Sequence, residues 1–259
     1  MSANGKDLFV ADYKNHCIRK IAVASRQVTT IAGRGGVKGH QDGHAIEQAQ
    51  FARPSSVCTG QHGVFVVDHG NHAIRCVRWS GQVITVAGVP EEKGHADGPL
   101  RSAKFNHPYD LQVRSIVCPQ LFALNSHPYD LQVMGSKLLV VDSDNHCIRS
   151  ICMREEIVET IAGSVGGDPG CVDGLPAQAR FCFPDGLALS SDKRILYVSD
   201  TGSNCIRAVT LPSALVDQYG AEIAALAGEG LQRRTMLHSK VRREASASCT
   251  VQCLREASA

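Results

Sequence analysis

The sequence predicts an all-β fold, a β-propeller built from four-stranded antiparallel blades. Three signatures that recur in the same order support this prediction. A segment Val-x-Asp-x-x-Asn-His-x-Ile-Arg begins at Val10, Val66 and Val140, and a copy with Ser-Asn in place of Asn-His begins at Val198. Each copy precedes an apolar stretch that ends in Ala-Gly, and the first three are then followed by an Asp-Gly pair and a Phe-x-x-Pro element. Ordered recurrence of this kind indicates a repeat architecture.

The aspartates of the first signature are 56, 74 and 58 residues apart. Within each unit, period-2 alternation and β-branched residues predict four strands. Strand a follows the Pro, strand b ends at the Asp, strand c carries Ile-Arg, and strand d ends at Ala-Gly. The recurring positions, which we predict to be structural, are Asp12, Asn15, Arg19, Gly33, Asp68, Asn71, Arg75, Gly88, Asp142, Asn145, Arg149, Gly163, Asp200, Arg207 and Gly228.

The repeat units contain no helical segment long enough for a βαβ crossover. Four-stranded antiparallel units that repeat without such helices are typical of a propeller, in which each blade buries its faces against its neighbours. Three blades can be drawn whole, and the one that contains Leu8 lacks its strand a. About four blades are therefore expected.

The long middle step has a visible cause, because the string HPYDLQV occurs at 107–113 and again at 127–133. Pro54 precedes Asp68 by 14 residues, and Pro128 precedes Asp142 by the same interval, so the second copy fits the downstream register. The first copy fits the upstream side, three residues after Phe105. Only one copy can occupy strand a. Within this duplicated segment, 107–133, the intervening string RSIVCPQLFALNS is then either an extruded loop or the trace of a local duplication or faulty exon joining.

The strings VADYKNHCIRKI, VVDHGNHAIRCV, VVDSDNHCIRSI and VSDTGSNCIRAV resemble NHL repeats, in particular the long-loop variety with TIAG, DG and AxFxxP elements. The likeness covers residues 8–228. It implies a propeller, commonly of six blades, that serves mostly protein or RNA contacts. Against six blades this chain is incomplete.

Residues 1–228 are thus predicted to form the propeller, and residues 229–259 a separate tail. The tail is basic, rich in Ala and Ser, and repeats the string REASA. Such a composition favours disorder. A short basic helix that docks on a partner and a frameshifted sequence are the alternatives. We expect no strand of the propeller within the tail.

The recurring Asp-x-x-Asn-His cluster could suggest a metal or acid/base site. Equivalent residues on successive blades are rotated about the propeller axis, so we expect turn hydrogen bonds there instead. The recurring arginines are expected to form inter-blade ion pairs, or alternatively a ring that receives phosphate or carboxylate. Asp42, Asp97 and Asp173, before Gly, are interpreted as turn formers. The inner strands offer Asp110 or Asp130 and Asp185 but no histidine.

The functional expectation is a non-catalytic protein-interaction scaffold, with no catalytic, metal or cofactor-binding residue assigned. The alternatives are a single-stranded RNA-binding propeller and a metal-dependent enzyme of the lyase or hydrolase type that the resemblance also includes. A formal charge of +2 gives no general attraction to nucleic acid. The chain shows no signal peptide or membrane span and its 11 cysteines are scattered, so we expect no membrane contact, a cytoplasmic location and mainly reduced thiols.

Overall fold

The computed structural model describes residues 1–2, 4–115, 136–164, 168–211 and 250–254. These residues form four antiparallel sheets in a propeller arrangement, which confirms the predicted fold class. Blade 1 has three strands, in agreement with the missing strand a. Its strands are β1 (Asp7–Asp12), β2 (Cys17–Ala22) and β3 (Val28–Ala32).

Blades 2 and 3 each have strands a to d plus a fifth, two-residue strand at the outer edge. In each case this short strand comes from the Asp-Gly loop that precedes the blade and pairs with strand d. The strands of blade 2 are β4 (Gly43–His44), β5 (Pro54–Gly60), β6 (Gly63–Asp68), β7 (Ala73–Arg78) and β8 (Gln82–Ala87). Those of blade 3 are β9 (Gly98–Pro99), β10 (Pro108–Ser115), β11 (Ser136–Asp142), β12 (Cys147–Cys152) and β13 (Ile157–Gly163).

The first copy of HPYDLQV supplies strand a of blade 3. Pro108 lies opposite Asp142 in the β10–β11 pair, as Pro54 lies opposite Asp68 in blade 2. The inner strand therefore keeps the register of the other blades although its proline is farther from the aspartate in sequence. The second copy, at 127–133, lies outside the described residues.

Blade 4 corrects the sequence prediction for the tail. Its strands are β14 (Pro184–Leu189), β15 (Ile195–Asp200), β16 (Cys205–Thr210) and β17 (Val251–Leu254). The tail was expected to be disordered and to contribute no strand, and for Val251–Leu254 this is wrong because these residues pair with β16. The predicted strand that ends at Gly228 lies outside the described residues, as does the rest of the tail.

Apolar cores lie between successive blades. Phe51, Phe105 and Phe181, the phenylalanines of the Phe-x-x-Pro elements, are fully buried, one in each of the three cores. Each core combines residues from two neighbouring sheets, as expected for units that cannot bury both faces alone. The nine cysteines among the described residues are all free thiols.

Every b-to-c connection is a short 3-10 turn that ends in a left-handed residue. His16, His72, His146 and Asn204 hold this position, with φ between 51 and 55°. Asn and His adopt positive φ more readily than most residues, which explains their choice after each aspartate. The turns lie at the end of the blades where strands b and d finish and strand a begins. We call this end the turn face. No helix in the described ranges could cross a membrane.

Candidate functional site

The polar residues that recur in the sequence form one buried ion network in each of blades 2, 3 and 4. In blade 3, Arg149 donates from Nη1 to Asp142 at 2.7 Å and from Nη2 to Asp97 at 2.7 Å. Asp142 also accepts hydrogen bonds from the side chain of Asn145 and the backbone N–H of Asn106, both at 2.8 Å. The aspartate and arginine side chains are thus fully engaged in holding strands b and c to the preceding loop.

The same network recurs in blade 2 around Arg75 and in blade 4 around Arg207. Arg75 donates to Asp68 at 2.8 Å and to Asp42 at 2.6 Å. Arg207 donates to Asp200 at 3.1 Å and to Asp173 at 2.6 Å. The sequence predicted that these arginines pair between blades. In the structure each arginine joins its own blade to the loop that leads into that blade. No ring of free guanidinium groups exists among these three arginines.

The Asp-Gly aspartates and the Phe-x-x-Pro phenylalanines have roles that the sequence did not reveal. Asp42 and Asp97, interpreted as turn formers, each pair with an arginine and accept the backbone N–H of strand d, from Thr85 at 2.9 Å and from Thr160 at 3.0 Å. Each guanidinium also lies over a phenylalanine ring, at 5.2, 5.0 and 5.1 Å from the centroids. The partners are Phe51 with Arg75, Phe105 with Arg149, and Phe181 with Arg207.

Desolvation dominates the electrostatics of these buried carboxylates. Burial raises the pKa of Asp68 and of Asp142 to about 6, although the neighbouring arginine and the donated hydrogen bonds act to lower it. Both side chains are shut off from solvent. At neutral pH both carboxylates are therefore buried charges that depend on their arginine and hydrogen-bond partners.

The histidines of the recurring cluster link each blade to the next. The Nδ1 atom of His72 accepts the backbone N–H of His107 at 3.0 Å. His16 accepts from Arg53 at 3.0 Å and His146 from Phe183 at 3.1 Å in the same way. The three donors all have positive φ and immediately precede the proline of strand a. Each of these histidines thus makes a hydrogen bond whose donor lies at the start of the following blade.

An Nδ1 atom that accepts a hydrogen bond must be unprotonated. The hydrogen bond between the two blades at His72 therefore depends on pH. Burial, followed by the nearby His107 and His69, lowers the pKa of His72 to about 4. An unfolded histidine takes up a proton at about pH 6.5. The stabilisation from neutral His72 is therefore fully present above that pH and is lost as the pH falls towards about 4.

When the pH is lowered from about 7 to about 4.5, we expect the free energy of unfolding to fall less for the His72→Asn variant than for the wild type, because the variant lacks this titration. Asparagine already holds the equivalent left-handed position at Asn204. At neutral pH the variant should lose about 1 kcal/mol with the hydrogen bond. Urea unfolding across this pH range measures both effects. His62→Asn, in the exposed a-to-b turn of blade 2, is the control, and parallel pH curves for wild type and His72→Asn would contradict the assignment.

An aromatic strip crosses the turn face over blades 1 to 3. We define it as Tyr13, His69, His107 and Tyr109. The ring centroids of His69 lie 5.8 Å from Tyr13, 4.9 Å from His107 and 5.6 Å from Tyr109. Tyr109 is 42% exposed, and at the far end the Nδ1 atom of His107 lies 2.8 Å from the exposed carboxylate of Asp144. The strip therefore offers aromatic, hydrogen-bonding and acidic groups to a partner.

Asp110, an inner-strand aspartate noted in the sequence, joins three blades. Its carboxylate accepts the hydroxyl of Ser56 from blade 2 and the backbone N–H of Leu187 from blade 4 at 2.8 Å. It also accepts the N–H of Leu111 at 2.8 Å. Asp185 accepts the hydroxyl of Ser199 at 2.7 Å. Both acids are held by hydrogen bonds to neighbouring strands.

Comparison with known proteins gives repeat-protein relatives of greater length. NHL repeat-containing protein 2 of Homo sapiens is 24% identical over 250 residues, which cover 86% of this chain and 31% of that protein. The Arabidopsis thaliana protein SUPPRESSOR OF QUENCHING 1, chloroplastic, is 25% identical over 209 residues, 79% of this chain and 18% of that protein. The chain thus spans less than a third of the length of these relatives. No protein-family model matches it.

Solved structures resemble the chain in fold. An auxiliary nutrient binding protein from Bacteroides thetaiotaomicron superimposes with a TM-score of 0.59 at 18% identity, over 78% of this chain and 44% of that chain. A second protein, from Bacteroides ovatus and of the same description, gives a TM-score of 0.58 at 19% identity, over 78% of this chain and 44% of that chain. At such identities the likeness extends to the blades alone.

Proposed function

We propose that this chain, which belongs to the NHL-repeat β-propellers, is a non-catalytic platform that binds a protein partner through its turn face. The aromatic strip is the observation that carries the proposal. Rigid aromatic side chains with a polar end supply much of the binding energy of protein interfaces. The strip is formed by residues from three blades, so the repeat scaffold fixes its geometry.

The surroundings of the strip favour a protein over a nucleic acid as partner. Exposed charges of both signs flank it, with Asp144 at one end and Lys14 and Arg53 near the other. A surface that binds single-stranded RNA combines stacking aromatics with a predominantly basic groove. The mixed charges here fit the polar rim of a protein interface better.

A non-catalytic role is supported by how the recurring acids are used. The carboxylates of Asp68, Asp142 and Asp200 each pair with a buried arginine and accept a backbone N–H. The carboxylate of Asp110 is shared among three blades. Groups that are tied into the fold in this way are poorly placed to exchange protons with a substrate.

Site-specific photo-crosslinking in cells tests the proposal. A photoreactive phenylalanine analogue replaces Tyr109 on the turn face, or Trp79 at the opposite end of blade 2 as the matched control. Trp79 is 58% exposed and sits in the c-to-d turn, so it is at least as accessible as Tyr109. We expect discrete protein adducts from position 109 and few from position 79.

A second substitution links the adducts to the strip. Adding His69→Ala to the position-109 probe should lower the adduct yield at least tenfold, because His69 lies at the centre of the strip and truncation of a central hot-spot residue costs about 2 kcal/mol or more. Equal adducts at both positions, or adducts at 109 that do not change with His69→Ala, would argue against this face. Adducts that disappear on nuclease treatment would favour the RNA-binding alternative.

A further inference from the structure

Three cysteines from separate segments meet at the outer part of blade 4. Cys171 lies in the loop before β14, Cys205 begins β16, and Cys253 lies in β17. The Sγ atoms of Cys171 and Cys205 and a carboxylate oxygen of Asp200 all lie within 4.8 Å of one another. Cys253 is not part of this 4.8 Å group, but its thiol interacts with that of Cys205, whose pKa is raised by burial and then by Cys253 and Cys171. We call these three residues the thiol cluster.

The other blades show that the fold does not require cysteine at these positions. Cys171 precedes Asp173 by two residues, as His95 precedes Asp97 in blade 3. The backbone N–H of Cys253 donates to Asp173, as that of Thr160 donates to Asp97. In blade 3 the corresponding contact is between His95 Nε2 and Thr160 Oγ1, at 3.1 Å.

Blade 2 has no thiol at any of the three positions. They are held there by His40, Ala73 and Thr85, and the blade nevertheless forms the complete ion network. Cys205 holds the position of Cys17 in blade 1 and Cys147 in blade 3, so the additions specific to blade 4 are Cys171 and Cys253. Chemistry, and not packing, is the better reason for these two additions.

The buried arginine of blade 4 gives a second, independent observation. The Nε atom of Arg149 donates to Asp97 at 3.1 Å, and that of Arg75 donates to Asp42 at 3.2 Å. Arg207 is fully buried, yet its Nε atom has no hydrogen-bond partner among the described residues. Cys253 lies opposite Arg207 in the β16–β17 pair, and Cys205 is two residues before it on the same face of the strand. An unpaired buried donor therefore lies beside the thiols.

We propose that Cys171, Cys205 and Cys253 bind one thiophilic divalent cation, Zn²⁺, as a three-thiolate site. Thiolate sulfur is the ligand type that selects zinc among the common divalent ions, and three protein ligands leave a fourth position for water. The unpaired Nε–H of Arg207 can donate to a thiolate of the site, although the charge of this guanidinium is already balanced by Asp173 and Asp200. The exposure of Cys171 gives the ion a route in from solvent.

Zinc would also fasten β17 to the blade. Val251–Leu254 pairs with β16 and, through Val251, with Gly174 of the preceding loop, and one thiol comes from each of β16, β17 and that loop. Metal that binds the folded arrangement and not the unfolded chain stabilises the fold by mass action. Stoichiometric Zn²⁺ should therefore raise the temperature at which blade 4 unfolds.

The test uses the full chain, reduced with a non-chelating phosphine and stripped of metal. Titration with Co²⁺ alone should give one equivalent bound, with the near-ultraviolet charge-transfer band of thiolate ligands, and Zn²⁺ should displace it. Cys171→Ser, Cys205→Ser or Cys253→Ser should each weaken Zn²⁺ binding by at least about 100-fold, since loss even of an outer-shell partner costs about 10–100-fold. Cys58→Ser, a half-buried thiol of blade 2, is the control and should bind as the wild type.

A variant that keeps a ligand guards against loss of binding through misfolding. Cys171→His places in blade 4 the residue that blade 3 has at His95, and it should bind one Co²⁺ with a weaker charge-transfer band because one sulfur is lost. Failure of the wild type to bind one equivalent, or equal binding by the three serine variants and Cys58→Ser, would overturn the proposal. So would a disulfide between two of the three cysteines in protein alkylated before cell lysis. None of these outcomes bears on the turn face, so the proposed protein-binding role is tested separately.

Discussion

Replacing Arg149 with methionine is expected to lower the free energy of unfolding by about 3–5 kcal/mol, the usual cost of removing one partner from a buried ion pair. Arg149 is fully buried and pairs with both Asp142 and Asp97 at 2.7 Å. Methionine fills much of the space over Phe105 but leaves the buried carboxylate of Asp142 without its cation. Urea unfolding followed by far-ultraviolet circular dichroism measures the loss.

Blade 1 offers the matched control. Arg19 is the equivalent arginine, but its side chain is 34% exposed and lies 3.8 Å from Asp12. No Asp-Gly loop from a preceding blade packs on it among the described residues. Arg19→Met should therefore cost no more than about 1 kcal/mol, the range of solvent-exposed pairs. Equal losses in the two variants would show that packing, and not the ion network, governs the effect.

The pH dependence separates charge from volume. Burial raises the pKa of Asp142 to about 6 even with Arg149 present, and removal of the guanidinium takes away the main opposing influence. A protonated Asp142 needs no cation. The destabilisation by Arg149→Met should thus be smaller at about pH 5 than at about pH 8, whereas a pure packing loss would be the same at both.

The sequence predicted the blades because their signals are local. Each strand carries its own alternation, and the proline that begins strand a lies opposite the aspartate that ends strand b in blades 2, 3 and 4. The left-handed residue after each turn was also readable, because Asn and His tolerate that conformation. Such features need no knowledge of what lies across the blade.

Only part of the ion network could be predicted from the sequence, because the second carboxylate that pairs with each arginine is far from that arginine along the chain. Asp42 precedes Arg75 by 33 residues, and Asp97 precedes Arg149 by 52. Their recurrence before Gly suggested a turn, and nothing in a local pattern shows that the loop folds back onto strand c. The fixed order of Asp-Gly, Phe-x-x-Pro and Ile-Arg within each unit was the signal that could have joined them.

The last strand was missed for a related reason. Val251–Leu254 is four residues long and lies in a segment whose composition favours disorder. By pairing with β16 it satisfies the backbone hydrogen-bonding groups at the outer edge of that strand, an edge that the sequence alone does not locate. The thiol cluster could not be predicted for the same reason, because Cys253 comes near Cys205 only when β17 pairs with β16.

Gly163→Ala is expected to destabilise the protein by about 3 kcal/mol, through strain at positive φ together with a backbone clash. Gly163 ends strand d of blade 3 with φ +104°, and a Cβ there would lie 2.7 Å from the carbonyl oxygen of His146 and 2.8 Å from Cys147 Cα. These are backbone atoms of the neighbouring strand, so they cannot move aside without disturbing the turn that presents His146 to blade 4.

Two loop glycines separate the contributions of conformation and contact. Gly36 has φ +78° with nothing within 4 Å of an added Cβ, so Gly36→Ala should cost only about 1 kcal/mol. Gly35 has neither a left-handed φ nor a close neighbour, and Gly35→Ala should be neutral or stabilising by up to about 1 kcal/mol because it restricts the unfolded chain. Urea unfolding midpoints should fall in the order Gly35→Ala, Gly36→Ala, Gly163→Ala. If Gly163→Ala matched Gly36→Ala, the close approach of the two strands would contribute nothing, and the glycine of the Ala-Gly signature would be explained by φ alone.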